Sequence, residues 1–238
     1  MTLASFDPQS RDLLTKVSTA TLATALFKLG FRNVFLQDVG LLNPGAPRMV
    51  GEAYTLRYIP AREDLDHLGV FEDRSHPQRK AVEEIPPGHV MVIDSRKDRR
   101  AASAGNILIT RMKMRGAAGV VTDGGFRDSH EIARLDFPVY CVAPSAPTNL
   151  VHHHAADINV PIACADVAVY PGDIVVGDAE GVVVVPRHVA DKIAEEAARM
   201  TVFEDWVENR VRAGASILGL YPPDAETRAA FEADMSKR

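Results

Sequence analysis

Leu22, Ala25, Leu26 and Leu29 recur at three- and four-residue intervals behind Ser18, and Gly30 follows them. This spacing puts the four on one helical face, with Ser18 as cap and Gly30 as stop, and predicts a helix over 18–29. Residues 50–59 alternate and are rich in β-formers, so they read as a strand. A polar segment lies between Pro60 and Pro86. Its end, 78–85, reads as a helix, and the rest as a lid or a partner contact. Pro87-Gly88 turns the chain into a buried apolar strand, 89–94. A helix over 106–115 stops at Gly116. Strand 119–122 follows, then strand 138–142, which opens on a proline tolerated at a strand start.

Beyond residue 157 the pattern changes to short β-runs at 158–162, 167–170, 174–176 and 182–185, with Gly/Asp turns at 171–173 and 179–181. Pro186 ends the last run. A long amphipathic helix covers 188–212, and a Gly/Pro-rich tail ends in a short polar helix. Helices at both ends around a strand-rich middle predict a single mixed α/β domain. The expected division is a domain over 1–200 with a C-terminal helical extension over 201–238.

Composition narrows the setting. With 238 residues, 46% of them hydrophobic, the chain can bury a sizeable core. Its net charge of −5 argues against a nucleic-acid partner. Cys141 and Cys164 sit in apolar runs and read as buried thiols of a reducing compartment. Neither a signal segment nor a run of membrane-spanning length is visible, so a cytoplasmic protein without membrane attachment is expected.

The candidate chemistry gathers in two places. After the run 119–122, the turn Gly124-Gly125 hands over Arg127 and Asp128 side by side. A carboxylate can hold a hard divalent cation, and a guanidinium can fork onto a carboxylate or keto oxygen. A bare Arg-Asp pair is more often a surface ion pair. The second place is Gly105-Asn106-Ile107-Leu108, where a helix begins. Free N–H groups and the positive dipole end make a helix start an anion site, and Gly105 lets a ligand approach the backbone. In βαβ geometry both places fall beyond the carboxyl ends of adjacent strands, where α/β sheets bind ligands. His152-His153-His154 lacks metal-ligand spacing and reads as a loop with one buried ring. The basic run 96–100 is too interrupted for nucleic acid, though not for a small anion. Trp206 reads as packing.

These motifs, Gly88 to Asp94, Gly105-x-x-Leu and Gly116-x-x-Gly-Val-Val-x-Asp-Gly-Gly-x-Arg-Asp, resemble the RraA-like family of 4-hydroxy-4-methyl-2-oxoglutarate aldolase and the regulator of ribonuclease activity A. The resemblance extends over about 15–200, through the N-terminal helix and the Pro171-to-Pro186 hairpin. It implies a layered β/β/α fold of the swivelling-domain kind and a homotrimer or homohexamer. It implies Asp128 as the one direct protein ligand of Mg²⁺ or Mn²⁺, Arg127 as the group that stabilises a pyruvate enolate, and backbone N–H groups of Gly105, Asn106, Ile107 and Leu108 as the carboxylate site. The implied activity is metal-dependent cleavage of a carbon–carbon bond in a 2-oxo acid, by retro-aldol reaction or by decarboxylation of oxaloacetate. The alternative is a non-catalytic regulator that binds an endoribonuclease. The intact Arg-Asp pair favours the enzyme.

Two positions depart from the family pattern. Its aldolases place an Asp where this chain has Asn106, and many members have an Asp where it has Thr24. Asn106 can orient a water but cannot take a proton from it. Asp94 and Asp123 are candidates for the missing base.

Overall fold

The computed structural model describes residues 6–237. Two helices open it, α1 (Pro8–Leu14) and α2 (Thr19–Lys28). Ser18 caps α2 as expected, accepting from the Thr21 N–H. A stub, β1 (Gly40–Leu41), precedes the twelve-residue β2 (Met49–Pro60). The chain then repeats one theme: α3 (Pro77–Glu84), β3 (His89–Asp94), β4 (Ala102–Ala104), α4 (Asn106–Met114), β5 (Gly119–Thr122), β6 (Gly125–Phe126), α5 (Ser129–Ile132), β7 (Val139–Cys141) and β8 (Ala143–Pro144). The strand-rich half is β9 (His153–Ile158), β10 (Ile162–Cys164), β11 (Val167–Val169), β12 (Ile174–Gly177) and β13 (Val182–Val185). Helices α6 (Ala190–Arg212) and α7 (Ala225–Met235) follow.

The main sheet runs β1-β7-β5-β3-β2-β12-β13, with β9 also on β2. Its centre, β2 to β3 to β5 to β7, is parallel, with α3, α4 and α5 in the crossovers. β3 and β5 are buried almost throughout because both faces are covered, which is why they read as unbroken apolar runs. The edge of β2 away from β3 serves two neighbours in turn. Met49–Glu52 pair with β12 and Leu56–Pro60 with β9, and the register shifts at Arg57/Tyr58. One core lies between the sheet and α3 to α5, and a second between β12, β13 and α1, α2 and α6. A third packs under the hairpin β10–β11, whose turn residues Ala165 and Asp166 both have positive φ, as a type I′ turn requires.

This architecture is the expected mixed α/β fold, with differences in detail. The run 158–162 is not one strand: β9 ends at Ile158, Asn159 turns with φ 55°, and β10 starts at Ile162. The three histidines do not form a loop. His153 and His154 open β9, and His153 is the buried ring. Helix α6 runs unbroken through residue 200, and α7 folds back on it through Phe203, Trp206 and Phe231. Both cysteines are buried and unpaired. Among the described residues no helix is long and apolar enough to cross a membrane.

Candidate active site

Three very short strands position the site. β4, β6 and β8 form a small parallel sheet of their own, in the order β4-β6-β8. Each lies just past the carboxyl end of a main-sheet strand: β4 after β3, β6 after β5, β8 after β7. The chain leaves them at Gly105, Arg127 and Ser145, so three segments distant in sequence emerge side by side. The Arg127 N–H donates to Ala104 O (3.1 Å), and the Ser145 N–H to Phe126 O (2.9 Å). Beneath them Ser95, Ser103 and Thr122 join their hydroxyls at 2.6–3.0 Å, and Tyr58 donates to Ser103 O at 2.8 Å. All four residues are fully buried, so the layer under the site is fixed by satisfied polar groups.

Asp128 stands where β6 turns into α5, with φ 57° and ψ 36°. A non-glycine residue in this left-handed region is uncommon, Asp being among the tolerated types, and such residues concentrate at functional sites. The turn aims Asp128 back at the start of α4. Its Oδ2 accepts from the Asn106 N–H (3.2 Å), and its Oδ1 lies 3.6 Å from Arg127 Nε. The side chains of Arg127 and Asp128 are 46% and 41% exposed, so the pair alone contributes little to stability. A Cβ on Gly105 would stand 2.7 Å from Asp128 Oδ2 and 2.9 Å from Arg127 Cγ. Any other residue there would push one of the two charged side chains out of this arrangement.

The pocket above them has a volume of about 420 Å³ and is lined by Gly105, Ile107, Leu108, Arg127 and Asp128. Asn106 is not in its lining. Its side-chain oxygen accepts from the Thr110 hydroxyl one turn along the helix (3.2 Å), while its backbone N–H braces Asp128. The Leu108 N–H donates to Gly105 O (3.1 Å), which leaves the Ile107 N–H of this first turn for a ligand. Leu68, Phe71, Arg79, Thr148 and Asn149 complete the lining with Ala102 and Ala104. These were not legible in the sequence as site residues. Leu68 and Phe71 belong to a short 3₁₀ turn, Leu68–Glu72, inside the segment read as a lid or a partner contact, and nothing in its local pattern links it to residues sixty positions on.

Asp128 is the one carboxylate in this lining. Asp94 and Asp123, the candidate replacement bases, are elsewhere and occupied. Asp123 is fully buried and accepts from the backbone N–H groups of Ser95, Lys97 and Ala165, and burial raises its pKa above the ordinary carboxylate range. Asp94 accepts from the Arg96 and Ala163 N–H groups. Both tie loops together. In the basic run, Arg96 binds His152 O, Lys97 pairs with Asp166 and Arg100 with Asp98, so these charges serve the fold. Among the described residues no three His, Cys, Asp or Glu side chains cluster as metal ligands. A single half-exposed carboxylate beside open space does fit a Mg²⁺-like ion, which keeps most of its waters and takes one or two protein oxygens.

Comparisons with known proteins agree with the fold. The sequence model of a family described as RraA-like, Aldolase/RraA, matches residues 19–184. A Halalkalibacterium halodurans protein provisionally named 4-hydroxy-4-methyl-2-oxoglutarate aldolase is 34% identical over 168 residues, covering 69% of this chain and 72% of that one. A Thermus thermophilus protein named 4-hydroxy-4-methyl-2-oxoglutarate aldolase is 29% identical over 143 residues, 60% of this chain and 79% of its own. The structure of Streptomyces coelicolor RraAS2, described as an unusual member of the RNase ES inhibitor RraA protein family, superposes with a TM-score of 0.76 at 29% identity, covering 87% of this chain and 98% of that one.

Proposed function

The chain belongs to the RraA-like aldolase/RraA family, and from that premise we propose that it is a divalent-cation-dependent lyase that releases pyruvate from a 2-oxo acid. The observation that carries the reading is the convergence of Gly105, Arg127 and Asp128 on one pocket, with the Asp128 carboxylate seated in the space that a Cβ at residue 105 would take. Asp128 would hold the Mg²⁺ or Mn²⁺ ion, which when bound supplies a Lewis acid to the 2-oxo group. The Ile107 N–H and the dipole of α4 bind the adjacent carboxylate. Arg127 places a planar donor where negative charge develops on the enolate oxygen as the carbon–carbon bond breaks, and the charge is stabilised most in that state.

Of the two reactions, the lining favours decarboxylation. Retro-aldol cleavage must take a proton from the 4-hydroxyl, whereas oxaloacetate enters with its leaving carboxylate already ionised. With Asn in place of the family Asp at 106, and with Asp94 and Asp123 committed to backbone amides, Asp128 is the remaining carboxylate in the lining, and it would be taken up by the metal. The test is pyruvate release with Mg²⁺ from oxaloacetate and from 4-hydroxy-4-methyl-2-oxoglutarate. Faster turnover of oxaloacetate is expected.

The likeness to RraAS2 favours a second reading, a regulator that binds an endoribonuclease. Absence of pyruvate from both substrates, together with inhibition of an RNase E-type enzyme by the purified chain, would replace the lyase with that reading.

A further inference from the structure

Arg79 is the unexplained charge of this pocket. It lies on α3, and its guanidinium carbon sits 4.3 Å from the centre of the Phe71 ring. The chain carries 32 acidic residues against 27 lysines and arginines, yet among the described residues Arg79 has no carboxylate partner. The acidic residues of its own helix are committed elsewhere: Glu83 pairs with Arg111 (2.7 Å) and Glu84 lies 3.9 Å from Lys80. Partial burial lowers the Arg79 pKa, yet a guanidinium remains charged at neutral pH. A half-buried charge held over an aromatic face, without a counter-ion, is costly unless a ligand supplies one.

A second observation lies in the same lining. Asn149 is 6% exposed, and its amide nitrogen is buried with no hydrogen-bond partner. The Thr148 hydroxyl donates to its side-chain oxygen (3.3 Å), which leaves the NH₂ as the unsatisfied end. Buried donors of this kind are rare, and each calls for an acceptor. The lining therefore holds a cation without a carboxylate partner in the same pocket as Arg127 and Asp128, and beside Thr148 a donor that is buried from solvent.

We propose that Arg79 is the specificity-determining residue of the pocket at the binding step, where it pairs with a second carboxylate of the 2-oxo acid, the one not held at the start of α4. The proposal rests on the reading of this pocket as a 2-oxo acid site. Leu68 and Phe71 form an apolar strip of the same lining, suited to the methylene or methyl groups between the two charged ends. A substrate with one carboxylate leaves Arg79 uncompensated.

Two unreactive ligands separate the ends: 2-oxoglutarate carries both carboxylates and 2-oxobutyrate only the first. Calorimetric titration in Mg²⁺ of wild type, Arg79→Gln and Arg79→Lys reads binding without turnover. The wild type is expected to bind 2-oxoglutarate at least about tenfold more tightly than 2-oxobutyrate. Arg79→Gln should remove that preference while 2-oxobutyrate affinity stays within about twofold, and Arg79→Lys should keep part of it, since charge survives and the fork is lost. Equal loss for both ligands, or a wild type that binds both equally, would overturn the assignment of Arg79 and leave the 2-oxo acid reading standing. A wild type that binds neither would overturn both.

Discussion

Gly105 has an extended backbone that any residue can adopt, φ −122° and ψ 176°, so its missing side chain matters only for what lies opposite. What lies opposite is Asp128 and Arg127. Gly105→Ala should therefore spare the fold and injure the site. Expected are a fall in kcat/KM of about tenfold or more and a melting temperature within a few degrees of wild type. A steady-state assay beside a thermal melt checks both. Asn106 gives a second expectation. Restoring the carboxylate with Asn106→Asp should raise aldol cleavage relative to oxaloacetate decarboxylation by about tenfold, the low end of what general-base catalysis contributes. The ratio of the two rates is the readout, because it cancels differences in folded fraction. An unchanged ratio would place the base elsewhere.

Long elements were legible because their apolar period is sustained: α2, α4, α6, β2, β3 and β5 fall where the pattern puts them. The small sheet was not. Strands of two or three residues, such as Gly125–Phe126, have no period to read, and their pairing is set by the parallel strands that feed them. β9 was missed because His-His-His-Ala-Ala-Asp lacks an apolar alternation, although its buried positions do alternate, His153 and Ala155. His153 stacks on Tyr58 at 5.3 Å, one ring nitrogen facing Ala101 O and the other Arg96. Burial is the main cause that lowers its pKa, and burial, then Arg79 and His154, lower that of His76 against the opposing pull of Asp66 and Asp73. The unfolded chain thus takes up these protons first. Stability should be full above about pH 6.5 and fall as pH drops through that value toward the folded-state pKa values. Thermal melts from pH 8 to 5 measure this, and His76→Gln should flatten part of the slope. A melting temperature indifferent to pH in that window would mean that these rings are hydrated.

At the scale of the whole molecule, the motif around Arg127-Asp128 and the helix start at Gly105 were legible because each is a contiguous stretch with its own chemistry. The wall formed by Phe71, Arg79 and Asn149 was not, because it exists only once three crossovers bring separate segments to one end of the sheet. A single chain leaves that end open. Leu68 and Ile107 are 74% and 82% exposed, and Leu218 in the segment before α7 is 87% exposed. Apolar exposure of this extent at the mouth and the tail accords with self-association. Light scattering is expected to return three or six times the 25.9 kDa chain mass, and a monomer at micromolar concentration would contradict it.

If Asp128 and a divalent cation together make this pocket a pyruvate-releasing site, turnover needs both. Coupled measurement of pyruvate formation from oxaloacetate, corrected for the spontaneous reaction, decides this. Wild type with Mg²⁺, wild type in excess chelator, and Asp128→Ala with Mg²⁺ are compared, with circular dichroism as the check on folding. Turnover is expected in the first case alone, with restoration on adding Mg²⁺ or Mn²⁺ back to the chelated protein and a loss of about a hundredfold or more in the folded variant. Undiminished turnover in chelator, or by folded Asp128→Ala, would contradict that requirement.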